Sequence, residues 1–115
     1  AVALSRNVSR KRAMEMLLTG EFIDAETACD WGLINRVADD DALDEAVGEL
    51  TASLCAKSAV AVRTGKGMFQ RQLQMPLDEA YAFAGEVMAC NMMAEDAGEG
   101  IDAFIEKRAP EWRHR

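Results

Sequence analysis

Apolar residues recur at steps of three and four along almost the whole chain, a spacing that gathers side chains on one face of an α-helix. Met14, Leu17 and Leu18 form the first stripe, with Ser9 placed as its N-terminal cap and Gly20 as its stop. Asp24 can cap a short helix that carries Ala25, Ala28 and Cys29 and ends at Trp31 and Gly32. Leu43, Ala46, Val47, Leu50 and Leu54 mark a helix from Ala42 to about Ala56. Ser58 opens the next, whose stripe is Val62, Gly65, Met68, Phe69 and Leu73. Pro76 suits the first turn of another, with Leu77, Ala80, Tyr81, Ala84, Met88 and Met92 as its ridge. Asp96 and Glu99 have the spacing of a capping box and introduce a last helix with Ile101, Phe104 and Ile105, which Pro110 stops.

Leu33 to Val37 breaks this rhythm. It is short and rich in β-branched residues, which makes it the single strand candidate. The pattern therefore predicts a mainly α chain of five or six short helices with one brief strand. No repeat or linker divides it, so residues 1–115 are expected to form a single segment. Gly65 and Gly67 each weaken their helix by about 1 kcal/mol relative to Ala, and close packing against a neighbour is the expected compensation.

Composition narrows the function. The net charge of −7 repels nucleic acid and anionic lipid, so neither is expected as a partner. Two basic runs stand out against it: Arg6, Arg10, Lys11 and Arg12, and then Lys107, Arg108, Arg113 and Arg115. Such runs are usually solvated surface. Ala28, Gly32 and Leu33 have the spacing of a helix-turn-helix turn. The helix that would then enter the groove carries Asp39, Asp40, Asp41, Asp44 and Glu45, and it would meet phosphates with carboxylates. No apolar run approaches the roughly 20 residues that span a bilayer.

The search for chemistry finds little. Cys29, Cys55 and Cys90 are three in number and widely spaced, which fits reduced thiols better than a disulfide framework or a zinc site and favours a cytoplasmic location. The only histidine, His114, lies one residue from the end, where it is hard to hold in place as a base. The serines near helix starts lack a histidine partner and read as caps. Three consecutive aspartates at 39–41 point in different directions and read as capping and solvation rather than a metal site. No catalytic and no metal-binding residue is expected in this chain.

A resemblance adds what the pattern cannot. The stretch 9–20, SRKRAMEMLLTG, is followed by Ile23, Asp24, Ala25 and Ala28 and by WGLINRV at 31–37. Ala56, Lys57, Ser58 and Lys66 come next, then Met75, Pro76 and Leu77, and the series closes with EGIDAFIEKR at 99–108. This ordered set resembles the C-terminal helical part of the crotonase (enoyl-CoA hydratase/isomerase) family, a fold built on an α/β spiral core. Thr27 stands where the family often has Glu, and Ala59 where Pro is common.

The resemblance implies a parent enzyme acting on acyl-CoA thioesters, a hydratase (a lyase) or isomerase of fatty acid metabolism, with coenzyme A carried by the substrate and no other cofactor. The groups that polarise the thioester and hydrate the double bond lie, in the family, ahead of the matched region. The chain alone is therefore expected to be inactive. The resemblance assigns coenzyme A contact to Phe104 and Lys107, with Arg108 behind them. It also implies homo-oligomer assembly, as a trimer or hexamer, through these helices. Apolar faces cut off from the core are then expected to drive self-association. The alternative is a stand-alone helical interaction module without activity.

Overall fold

The computed structural model describes residues 1–115 as seven α-helices and no strand. They are α1 (Val2–Asn7), α2 (Arg10–Thr19), α3 (Ala25–Asp30), α4 (Leu43–Cys55), α5 (Ala59–Gln72), α6 (Leu77–Asn91) and α7 (Glu95–Glu106). The chain divides into two compact units, Ala1–Val47 and Gly48–Arg115. None of the helices is long and apolar enough to cross a membrane.

In the first unit, the caps act much as the sequence suggests. Gly20 closes α2 in the left-handed region at φ 68°, and its N–H reaches the Met16 carbonyl at 3.0 Å. Only glycine enters that region without a steric penalty. The Asp24 carboxylate accepts from the Thr27 N–H at 2.8 Å and caps α3, and this bond holds its pKa below the ordinary carboxylate value. Ser9 occupies the N-cap of α2, but its hydroxyl makes no capping bond. The Arg12 guanidinium lies over the Trp31 ring at 4.1 Å, so the first basic run is not wholly solvated.

The segment Leu33–Val37 is not a strand. Gly32 turns the chain at φ 77°, and the N–H groups of Leu33 and Ile34 both reach back to the Ala28 carbonyl. These donors close α3, and no second strand is present to pair with the rest. β-branched composition marks a strand only where a partner supplies the ladder.

In the second unit, α5 and α6 pack along each other and α7 packs on α5. The Ser58 hydroxyl accepts from the Ala61 N–H at 3.3 Å and caps α5. Gly65 and Gly67 face open space, so they bring no helix close and leave only a weakened helix.

The buried apolar residues are small: Val8, Ala13, Ala28, Ala80 and Ala103. The long side chains of the stripes lie outside. On α4, Leu43, Val47, Leu50 and Leu54 are all exposed, as are Leu77, Tyr81 and Met88 on α6 and Met92 at its C-cap. A compact body of this mass exposes about 6,200 Å², and two bodies of half the mass about 7,500 Å². This chain exposes 9408 Å². The exposed apolar faces of α4 and α6 contribute to this surface.

Candidate functional site

A pocket of about 470 Å³ lies in the second unit. The start of α5 contributes Val60 and Ala61, the end of α6 contributes Asn91 and Met92, and α7 contributes Gly100, Ile101 and Phe104. Trp112, from the segment after α7, completes the lining. The walls are mostly apolar; Ser58 and Asp96 also line it, bonded to each other, and Asn91 Oδ1 is buried without a hydrogen-bond partner. An unpartnered carbonyl at a pocket wall favours an occupant that donates to it.

Phe104 is thus part of the pocket, yet it is 85% exposed, which leaves its ring face free for a flat ligand. Lys107 is placed differently from a plain helical spacing. α7 stops at Glu106, and Lys107 takes the left-handed conformation at φ 55° as the C-terminal cap. The Arg108 N–H then reaches the Ala103 carbonyl at 3.0 Å. Lys107 is exposed and pairs with no carboxylate. Arg108, by contrast, is occupied. Its Nη1 and Nη2 donate to the two Glu99 oxygens at 2.5 and 3.0 Å, and its Nε donates to Glu106. These carboxylates, Glu99 first, push its pKa up.

The residues after α7 form a held strap, where the sequence suggested a solvated basic run. Asp96 and Glu99 do not form a capping box, because the N-cap of α7 is Ala94. Both carboxylates turn instead to the strap. Glu99 takes Arg108 and also the Glu111 N–H at 2.7 Å, and together these hold its pKa down to about 2. Asp96, only 4% exposed, accepts from the Ser58 hydroxyl and from the backbone N–H groups of Arg113 and His114. Burial alone would raise its pKa, but these donors, Ser58 foremost, leave it below the ordinary value.

His114 is fixed as well. Its Nδ1 accepts from the Ala59 N–H at 3.2 Å, so the end of the chain is less free than its position suggests. The Trp112 indole N–H donates to the Ala56 carbonyl at 2.8 Å. None of these strap contacts is visible as a local motif, since the partners stand from 9 to 56 residues apart. The charge complement of acidic α7 and basic tail was the one signal available.

The model of the enoyl-CoA hydratase/isomerase family matches residues 1–115. The chain belongs to that family. Enoyl-CoA hydratase domain-containing protein 3, mitochondrial, of Rattus norvegicus is 43% identical over 114 residues, covering 99% of this chain and 38% of the relative. Carnitinyl-CoA dehydratase of Citrobacter koseri is 37% identical over 105 residues, which are 88% of this chain and 40% of that protein. Among solved structures, an enoyl-CoA hydratase of Mycobacterium smegmatis superposes with a TM-score of 0.94 at 52% identity, over 96% of this chain and 43% of that one.

The chain therefore spans about two-fifths of the length of the family members it matches. Its helices correspond to the helical part of the crotonase fold, as the sequence resemblance implies.

Proposed function

We propose that this chain is the assembly and coenzyme A-contacting part of an enoyl-CoA hydratase/isomerase-family enzyme that acts on acyl-CoA thioesters. The observation that carries the reading is Phe104. It lines the 470 Å³ pocket with an exposed ring, three residues before the unpaired ammonium of Lys107. An aromatic face suits the adenine, and an ammonium suits a phosphate.

Catalysis then belongs to residues outside this chain. Donors that polarise the thioester oxygen stabilise the charge that develops on it, and paired carboxylates deliver water and a proton. The fatty-acid substrate and the lyase or isomerase outcome are set there. The exposed faces of α4 and α6 are the surfaces proposed for trimer or hexamer contacts. The stand-alone interaction module is the weaker reading, because family order is kept across 99% of the chain.

The compartment we propose is aqueous and reducing, in keeping with three free cysteines. The rat relative is named as mitochondrial, so cytoplasm is too narrow a description.

The test is coenzyme A binding by calorimetry. Phe104→Ala is expected to weaken it about tenfold, as loss of one base-stacking aromatic does. Equal affinity of the variant and the unaltered protein would remove Phe104 from the site.

A further inference from the structure

We infer that Asp96 is a positioning residue: it latches the end of the chain across α7, and the latch sets Trp112 as a wall of the pocket that holds Phe104. The inference takes its ligand from the coenzyme A reading above. The latch itself stands on geometry alone.

Asp96 holds three consecutive residues. Its side chain receives the N–H groups of Arg113 and His114, and its own N–H donates to the Arg115 carbonyl at 3.1 Å. Ser58 Oγ–H donates to the same carboxylate from the start of α5, at 2.5 Å. One buried anion thus ties α7, α5 and the strap together. Hydrogen bonds to an ionised acceptor are about twice as strong as neutral ones.

The backbone also requires such an anchor. His114 sits at φ 62°, a conformation that is unfavourable for any residue with a Cβ. A free tail would leave it. The other ion pair near the end, Arg115 with Glu95, is exposed on both sides and contributes little.

Trp112 directly precedes the trapped residues. Its ring lies on Gly100, where any Cβ would come within 3.3 Å of the indole. Its N–H is taken by the Ala56 carbonyl. With the latch set, the indole has one place, and that place is a wall of the Phe104 pocket. Asp96 also lines this pocket, but its carboxylate is taken up by Ser58, Arg113 and His114, so its effect on that ligand runs through Trp112.

The experiment compares Asp96→Ala and Asp96→Asn with the unaltered protein, all in a Trp31→Phe background so that Trp112 alone reports. Three readouts are taken: Trp112 emission, hydrogen exchange at the Arg113 and His114 amides, and coenzyme A affinity. Asp96→Ala is expected to shift the emission to the red, speed exchange about tenfold or more, and weaken coenzyme A binding less than Phe104→Ala does. Asp96→Asn keeps shape and one acceptor and should fall between. Glu95→Gln, which removes only the exposed pair, should change none of the three.

Unchanged emission and exchange in Asp96→Ala would overturn the latch. If circular dichroism shows that this variant has lost its helices, Asp96→Asn and Ser58→Ala decide by the same readouts. Released Trp112 with unaltered coenzyme A affinity would overturn the positioning role. Should the unaltered protein bind no coenzyme A, the earlier functional reading fails, and emission and exchange still decide the latch.

Discussion

The hydroxyl of Ser58 donates to the carboxylate of Asp96 across 38 residues of chain, and these two are the polar residues buried as a whole. Ser58 thereby serves two ends at once. It caps α5 through the Ala61 N–H and supplies one of the donors that keep Asp96 ionised. A helix start and a chain end are coupled through one bond, and the consequences are measurable.

The strap should be acid-labile. The Glu99 carboxyl lies at about 2 when folded, against an ordinary 4.5, because Arg108 and the Glu111 N–H bind its charged form. A carboxylate lowered on folding contributes stability above its unfolded value and loses it as pH falls through the folded one. Asp96 is shifted the same way. Trp112 emission in a Trp31→Phe background should hold at neutral pH and change between about pH 4.5 and about pH 2. Release at neutral pH would contradict this account of the strap.

Two glycines of α7 should respond differently to Ala. Gly98 faces open space, so Gly98→Ala is expected to stabilise by up to about 1 kcal/mol through helix propensity. At Gly100 the new methyl would meet the Trp112 ring at 3.3 Å. Gly100→Ala should gain less, or lose, and shift the Trp112 emission. Thermal melts of both variants check the order; equal gains with unmoved emission would speak against the Gly100–Trp112 contact.

Lys107 allows stability and binding to be separated. It sits at φ 55°, which costs a residue with a Cβ about 1 kcal/mol that glycine avoids. Lys107→Gly should therefore melt higher than Lys107→Ala. Both should weaken coenzyme A binding alike, since both remove the ammonium. Affinity that follows melting temperature would show a structural role only.

The exposed ridges should drive association. Leu77 and Tyr81 are each 74% exposed on α6. Sedimentation velocity of the chain is expected to show concentration-dependent oligomers. Replacing either residue by Lys should weaken them about tenfold, from the apolar area that a buried side chain removes from water. A monomer at all concentrations would contradict the assembly role.

Much of the fold is legible in the sequence where its cause is local. Gly20, Asp24 and Ser58 act as caps or stops because the partner of each lies within one turn. Six helices follow from apolar spacing; α1, too short for a stripe, does not. Leu33–Val37 fails as a strand because pairing depends on a partner that the pattern does not reveal. Asp96 and Glu99 mislead because their spacing imitates a capping box, while their partners lie up to 38 residues away. The stripes identify helix faces correctly, but they do not say that Leu50 or Met88 lacks a neighbour within the chain. Phe104 and Lys107 were reached by resemblance alone, and geometry adds Trp112 and Asn91 beside Phe104.

The central claim is that this chain contributes coenzyme A contact and assembly to an enzyme whose chemistry lies elsewhere. The most direct measurement is crotonyl-CoA hydration by this chain, side by side with a protein of its relatives' length that carries this same segment. The account predicts no turnover by the chain and turnover by the longer protein, reduced when Phe104 is replaced by Ala. Hydration by the 115-residue chain itself would contradict it.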